Sequence, residues 1–206
     1  MTTTGKIELM APAGNFESMQ AALDNGCDSI YFGVEQLNMR ARATVNFVLD
    51  DLPEIARRCN EKNVRTYLTL NTIIYDHDLS IVKTLLTKAK EAGITAVIAS
   101  DQAVIMTARS IGMEVHISTQ LNVTNIETVK FYAMFADTIV LSRELSLRQV
   151  KKITDEIEKE QVKGPRGNLV EIEIFGHGAL CMAVSGKCYL SLHSHNSSAN
   201  RGACKQ

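Results

Sequence analysis

The sequence predicts an α/β fold in which the strands of one parallel sheet alternate with helices. Three observations lead to this prediction: short apolar runs recur along the chain, amphipathic stretches separate them, and glycines stand at the junctions. Short apolar runs without polar alternation are typical of strands that are buried on both faces, as in a parallel sheet. We therefore expect about seven parallel strands with six intervening helices.

The predicted strands each end in small or polar residues. In chain order they are IELMAPA, SIYFGV, RTYLTLN, AVIASD, EVHIST, TIVLSR and EIEIFGHG. Between them lie stretches such as NFESMQAALDNG, LSIVKTLLTKAKEAG and NIETVKFYAMFA, whose apolar residues recur at helical spacing. Glycines at the helix C′ position should end three helices, at Gly26, Gly93 and Gly112. Capping boxes at Thr124 and Ser146 should open two others.

Two architectures accommodate this order of elements, an open doubly wound sheet and a (β/α)8 TIM-like barrel that lacks its last unit. A doubly wound nucleotide-binding sheet often carries G-x-G-x-x-G after its first strand, whereas this chain has APAGNF there. We favour the incomplete barrel, formed by residues 1–178, followed by the start of a cysteine-rich segment, 179–206. The chain would then be truncated at its C-terminal end, and its exposed barrel edge would favour a dimer.

Composition restricts the function classes. A chain of 206 residues with 45% apolar residues can bury one large core. Its net charge of -1 provides no overall attraction to nucleic acid, although a local basic patch remains compatible with RNA binding. The N-terminus lacks the apolar core of a secretory signal, and no apolar run approaches the roughly 18 residues needed to span a bilayer. We expect a cytoplasmic protein without a membrane partner.

The C-terminal ends of barrel strands are where chemistry is expected. The residues at those ends are Asn71, Ser100, Asp101, Thr119, Gln120, Ser142, Arg143 and His177. Together they would form a polar mouth for a small polar or anionic ligand. Each of them has a simpler interpretation. Asp101 could cap the next helix, Thr119 and Gln120, with Asn122, could only satisfy backbone groups of their loop, and Arg143 could pair with Glu144 at the surface.

The connection after the second strand carries two arginines, Arg40 and Arg42, on either side of one alanine. In an extended segment these side chains project to the same face and could bind a phosphate or carboxylate bidentately. The alternative interpretation is a solvated loop.

The five cysteines divide into two groups. Cys27 and Cys59 lie within helix and strand patterns, and we interpret them as core residues. Three others are grouped near the C-terminal end, at Cys181, Cys188 and Cys204. Grouped thiolates suit an iron–sulfur cluster, although their spacing is not that of common ferredoxins.

Other groups near these cysteines leave alternatives open. His177 and Cys181 are four residues apart and could form a nucleophilic pair. His193 and His195 could ligate a metal or lie in a solvated loop.

The segment EIEIFGHGALCMAVSGKCYLS, followed by NRGAC, resembles the signature region of the U-32 peptidase family, the collagenase-like putative proteases. ELMAPAGNFESMQAALDNGCDSIYFG, ISTQLNVTN and VLSRELSL also resemble this family, so the resemblance covers nearly the whole chain. Among its subgroups, the one that hydroxylates the wobble uridine of tRNA with prephenate is the most similar. Other relatives modify a ribosomal RNA cytidine or assist ubiquinone synthesis.

The resemblance implies a 4Fe–4S cluster held by four cysteines. Cys181, Cys188 and Cys204 occupy three of these ligand positions, and the fourth ligand would lie beyond the end of this chain. A fragment without that ligand could be inactive.

The leading hypothesis is a tRNA uridine hydroxylation enzyme. Arg40, Arg42 and Arg143 would bind a carboxylate co-substrate or RNA phosphate, and His177 would orient a group beside the cluster. Asn71, Asp101 and Gln120 would complete the substrate site. The alternatives are a collagenase-like peptidase, with Cys181 as the best available thiol, and a non-catalytic cluster-binding partner of a hydroxylase complex.

Overall fold

The computed structural model describes residues 7–34, 37–38, 47–178 and 181–205. Within them, seven strands form one sheet in the order β1 to β7, and each strand runs parallel to its neighbours. The strands are β1 Met10–Pro12, β2 Ser29–Phe32, β3 Arg65–Leu70, β4 Ala96–Ala99, β5 Glu114–Ile117, β6 Thr138–Val140 and β7 Glu171–Glu173.

In the described ranges, six α-helices connect successive strands, and a seventh follows β7. They are α1 Phe16–Asp24, α2 Leu52–Glu61, α3 Leu79–Glu91, α4 Gln102–Ser110, α5 Ile126–Ala133, α6 Leu147–Glu160 and α7 Leu190–His195. Among the described residues, no helix is both long enough and apolar enough to cross a bilayer.

The strand order decides between the two predicted architectures. A doubly wound sheet reverses its strand order at a switch point, whereas here every strand pairs with the next one in the chain. Because parallel crossovers are right-handed, an unreversed order places all the connecting helices on the same face of the sheet. The prediction of an incomplete (β/α)8 barrel with seven strands and six intervening helices is therefore confirmed.

The outer face of the sheet packs against the helices in one continuous apolar core. Alternate strand residues such as Leu68, Val97 and Ile117 contribute to it, because successive side chains of a strand point to opposite faces. Cys27 and Cys59 are buried in the same core, as predicted. Burial raises the pKa of the Cys59 thiol to about 11, so this residue is an inert apolar core residue.

The predicted helix ends are largely confirmed. Positive φ angles are found at all three glycines predicted to follow helices, Gly26, Gly93 and Gly112. The backbone N–H of Ser146 donates to Gln149 Oε1 at 2.9 Å, as a capping box at the start of α6 requires. The predicted box at Thr124 is wrong. Instead, the side chain of Asn125 caps α5 by accepting from the Thr128 N–H at 2.9 Å. Asn125 precedes this amide by three residues, which is the spacing at which a capping side chain reaches a backbone N–H of the first turn.

Candidate functional site at the mouth of the barrel

A cavity of about 210 Å³ opens at the C-terminal ends of the central strands. It brings together four residues predicted to face the mouth: Asn71 after β3, Ser100 and Asp101 after β4, and Gln120 after β5. Gly186 and Asn200 from the cysteine-rich segment also line it. The cavity therefore lies between the barrel rim and the chain that follows β7.

Asp101 has the structural role that the sequence allowed as its alternative. One carboxylate oxygen accepts from the Ala103 N–H at 2.8 Å and caps α4. The other accepts from the Ile74 N–H at 3.1 Å and so fixes the loop after β3. Both oxygens therefore hold backbone at the edge of the cavity.

Arg143 does not pair with Glu144, which instead accepts a hydrogen bond from Ser142. Its Nη2 donates to the carbonyl oxygen of Ala183 at 3.0 Å and to Ser185 Oγ at 2.8 Å. Its Nε is buried without a hydrogen-bond partner among the described residues. Arg143 therefore connects the end of β6 to the cysteine-rich segment, and its buried Nε is available to a ligand.

Asn122 makes a second connection to this segment. Its Nδ2 donates to the carbonyl oxygens of Ser185 at 2.6 Å and Gln120 at 3.1 Å. Gly186 lies so close that a Cβ built on it would be 2.6 Å from the Gln120 carbonyl oxygen. Residues 183–186 are thus seated directly on the ends of β5 and β6.

The chain just before Cys204 is held at the end of β3. Arg201 Nη1 donates to the Ile73 carbonyl oxygen and to Asp78 Oδ2, both at 2.6 Å, and its guanidinium lies 4.4 Å from the centre of the Tyr75 ring. The Ile73 N–H donates to the Asn200 carbonyl oxygen at 3.0 Å. The hydrogen bond from Arg201 lowers the pKa of Asp78, so this pair is charged at neutral pH.

The three C-terminal cysteines are not assembled into a ligand group in this arrangement. Cys181 and Cys204 are exposed and Cys188 is half-buried. Within the part of the chain that the structure describes, no group of three or more His, Cys, Asp or Glu side chains could hold a metal ion. As arranged here, the thiols do not fit a cluster by themselves, and the 4Fe–4S site stays a prediction.

The other predicted site residues lie elsewhere. His177 is exposed beyond the end of β7 and does not line the cavity. His193 and His195 are exposed in α7. Arg40 and Arg42 lie outside the described residues, so their predicted anion-binding role stays a prediction.

A second cavity, of about 530 Å³, lies between α2 and α3 on the outside of the barrel. Its one arginine, Arg57, already pairs with Glu54 and Glu61 of the same helix. Because catalytic groups of such barrels lie at the strand ends, the smaller cavity at the mouth is the better candidate site.

The sequence interpretation missed a polar network on the inner face of the sheet. TIM barrels usually fill this space with bulky branched residues. Here Tyr67 donates to Glu8 at 2.6 Å, and Arg65 donates to Glu8 at 2.9 Å and to Glu114 at 3.3 Å. The alternation of polar residues in strands β5 and β7, Glu114-x-His116 and Glu171-x-Glu173, was the signal that could have revealed it.

Two carboxylates of this inner network have opposite pKa shifts. Burial alone would raise the pKa of Glu114, but hydrogen bonds from His116 and Arg166, together with their charges, lower it to about 2. Burial raises the pKa of Glu173. Its Oε2 lies 3.9 Å from Nδ1 of His116, and neither atom has a hydrogen-bond partner in the described part of the chain. Glu114 is thus firmly ionised, whereas the half-buried Glu173 has a raised pKa and is only partly compensated by His116.

Comparisons with known proteins agree with the resemblance seen in the sequence. A family model described as peptidase family U32 matches residues 14–206. A collagenase of Porphyromonas gingivalis strain W83 is 56% identical over 199 residues, which are 97% of this chain and 48% of that protein. The tRNA hydroxylation protein P1 of Bacillus subtilis is 31% identical over 206 residues, covering 98% of this chain and 46% of that protein. The chain thus spans about half the length of these curated relatives.

The solved structure of the U32 peptidase Mk0906 has the same fold, with a TM-score of 0.58 and 13% identity, and the match covers 84% of this chain and 70% of that one. At this identity the similarity concerns the fold alone. The family model covers nearly the whole chain, and a relative that is 56% identical covers the same region. The chain therefore belongs to peptidase family U32.

Proposed function

We propose that this chain forms the barrel part of an enzyme that hydroxylates a base of RNA, namely the wobble uridine of tRNA, with prephenate as co-substrate. The observation that carries the proposal is the cavity at the strand ends, which is bordered by the segment that bears Cys181 and Cys188. The relative named for tRNA hydroxylation, which matches 98% of this chain, supports the choice of reaction.

The cavity is equipped to bind a polar molecule. Thr72 Oγ1, Gln120 Oε1 and Asn200 Oδ1 are buried at its walls without hydrogen-bond partners among the described residues. A buried polar atom left unpaired costs about 1–3 kcal/mol, which a bound ligand or water would recover. Outside the lining of this cavity, the buried Nε of Arg143 also has no hydrogen-bond partner among the described residues and offers a donor to a carboxylate co-substrate.

The 4Fe–4S cluster belongs to this proposal through the family resemblance, with Cys181, Cys188 and Cys204 as three of its ligands. Because these thiols do not form a ligand group as they stand, binding would require movement of the segments that carry them. Anaerobic purification of this chain and its full-length parent, followed by iron and sulfide analysis, tests the prediction. Close to four irons per parent chain, falling sharply in Cys188→Ala, is the expected result, and absence of iron from both proteins would contradict it.

The dimer predicted at the barrel edge is a separate part of the proposal. Among the described residues, β1 and β7 each pair with one strand only. Ile7 and Leu9 near one edge, and Phe175 near the other, expose most or half of their side chains. Sedimentation equilibrium of the chain is expected to give a dimer, and a monomer at micromolar concentrations would contradict it.

Nucleoside analysis of tRNA tests the reaction. Deletion of the gene is expected to remove hydroxyuridine from tRNA, and the full-length gene should restore it. Restoration by a Cys188→Ala gene would argue against a role of the cysteine-rich segment. Unchanged hydroxyuridine after deletion would contradict the proposed function. Normal tRNA together with co-purification of a hydroxylase would favour the non-catalytic partner.

A peptidase is the second candidate, favoured by the 56% identity to a protein named collagenase. It would need a nucleophile, and Cys181 is the best available thiol because it is exposed. Collagen or gelatin cleavage that survives chelators and is lost in Cys181→Ala would favour the peptidase. Cleavage that is unchanged in this variant would argue against Cys181 as the nucleophile.

A further inference from the structure

The cavity at the mouth has a lining that is polar but nearly uncharged. Amide and hydroxyl side chains dominate it, contributed by Asn71, Thr72, Ser100, Gln102, Gln120 and Asn200. Among the described residues, Asp101 is the one charged residue in the lining, and no lysine, arginine or histidine of this part of the chain lines the cavity. Amides and hydroxyls each offer both donors and acceptors, so the walls suit a ligand that carries both kinds of group.

The described lining residues offer no positive charge that would compensate an anion in this cavity. Helix α4 begins at its edge, and a helix N-terminus generally favours anions. Here the Asp101 carboxylate already caps that end, so a second negative charge would lie beside the first. The guanidinium of Arg201 is paired with Asp78, and Nη2 of Arg143 is bonded to Ala183 and Ser185.

The volume of the cavity limits the size of the ligand that it can hold. Its volume of about 210 Å³ is below the roughly 300–1,000 Å³ of pockets for drug-sized ligands. It therefore suits a group about as large as one ring. Asparagine and glutamine amides recognise base edges through paired hydrogen bonds, and enzymes that modify a base commonly extrude it into a small pocket.

We infer that this cavity binds the uncharged reactant, an extruded pyrimidine base, and that the carboxylate co-substrate binds outside it. The assignment rests on the proposed function and specifies which of its two reactants occupies the cavity. The buried hydroxyl of Thr72, which is 1% exposed and has no partner among the described residues, is assigned to hydrogen-bond the base. Asp101 is assigned to exclude anions from the cavity.

Binding of small probes, followed by NMR of the full chain, tests the assignment. Uridine, uridine monophosphate and malonate would each be titrated, with chemical shifts of Gln120 and Gly186 as reporters. Uridine is expected to shift these signals and malonate is not. Thr72→Val should weaken uridine binding at least fivefold. Thr138→Val is the matched control, because Thr138 is also buried with an unpartnered hydroxyl but lies away from the cavity.

Asp101→Asn is the second variant of this experiment and tests the exclusion of anions. Asparagine can still cap α4. Malonate binding at the reporter signals is expected to appear in this variant. Malonate binding to the unmodified chain at these signals, no uridine binding, or equal losses in both threonine variants would each overturn the assignment.

Different results would contradict the base-binding assignment of the cavity and the proposed tRNA hydroxylation. If deletion removes hydroxyuridine from tRNA but uridine does not bind the cavity, the assignment falls and the proposed function stands. If uridine binds as expected but deletion leaves tRNA unchanged, the proposed function falls, and the cavity remains a site for an uncharged ring.

Discussion

Arg143 and Ser185 are separated by 42 positions in the sequence and joined by a hydrogen bond of 2.8 Å from Nη2 to Oγ. The same nitrogen donates to the Ala183 carbonyl oxygen, so one guanidinium fixes two points of the segment between Cys181 and Cys188. This relationship makes Arg143 a positioning residue for the cysteine-rich segment. It also explains why a half-buried arginine lies after β6 without a carboxylate partner among the described residues.

Replacing Arg143 by alanine should release this segment from the barrel. Hydrogen bonds from a charged donor contribute about 1.5–3 kcal/mol each, so their loss should raise the population of open states at least tenfold. The expected result is faster alkylation of the half-buried Cys188 by iodoacetamide, measured by peptide mass spectrometry. Arg148→Ala, at an exposed position of α6, is the control. Equal alkylation rates in both variants would mean that Arg143 does not position the segment.

A methyl group at Gly186 should separate the same segment from the rim. Its φ of +71° is strained for alanine, and the new Cβ would meet the Gln120 carbonyl oxygen at 2.6 Å. Gly186→Ala should therefore speed amide hydrogen exchange in residues 183–188. Gly93→Ala is the matched control, because Gly93 has a similar φ of +86° and nothing within 4 Å. Gly93→Ala should lower the free energy of unfolding by about 1–2 kcal/mol without changing hydrogen exchange in residues 183–188. Similar exchange in both variants would contradict the proposed contact.

The fold was largely predictable from the sequence because its outer core follows local rules. Apolar strand residues, helical periodicity and C′ glycines each depend on neighbours within a few positions. The position of Asn71, Asp101 and Gln120 at one rim followed from parallel strands alone. The cap at Asn125 was missed because Thr124 and Asn125 are both good caps, and sequence does not say which amide each side chain reaches.

The connections between distant segments were not predictable. Arg143 was expected to pair with its neighbour Glu144, since sequence spacing reveals nothing about Ser185. The spacing of the cysteines likewise gives no distance between thiols. The polar inner face was missed for a physical reason: both faces of a parallel sheet are expected to be buried, and a strand as short as Glu114–Ile117 shows the polar alternation only twice.

The ion pair between Asp78 and Arg201 should stabilise the protein in a pH-dependent way. The pKa of Asp78 is lowered by its hydrogen bond from Arg201, so the stabilisation is present above the ordinary pKa of aspartate and disappears as the pH falls through the lowered value. Asp78→Asn should cost about 2 kcal/mol at pH 7, less than the 3–5 kcal/mol of a fully buried pair. The cost should shrink toward pH 3.

Urea unfolding of Asp78→Asn at both pH values measures this difference. Asp76→Asn, an exposed acid in the same turn, is the control and should have little effect at either pH. A cost for Asp78→Asn that is the same at pH 7 and pH 3 would show that the charge of Asp78 contributes nothing.

Removing the charge of Glu173 should stabilise the protein at alkaline pH. Burial raises the pKa of this glutamate, so the folded state binds its proton more tightly than the unfolded state does. The resulting penalty is absent below the ordinary pKa of glutamate and is complete above the raised one. Glu173→Gln should therefore raise the free energy of unfolding by about 1 kcal/mol at pH 8, the scale of one buried unsatisfied polar group, and should give no gain at pH 4.

Glu171→Gln is the control, because Glu171 lies on the same strand but is exposed. Equal effects of the two substitutions at pH 8 would mean that Glu173 Oε2 is solvated in the folded protein, and that the inner face of the barrel admits water as far as His116.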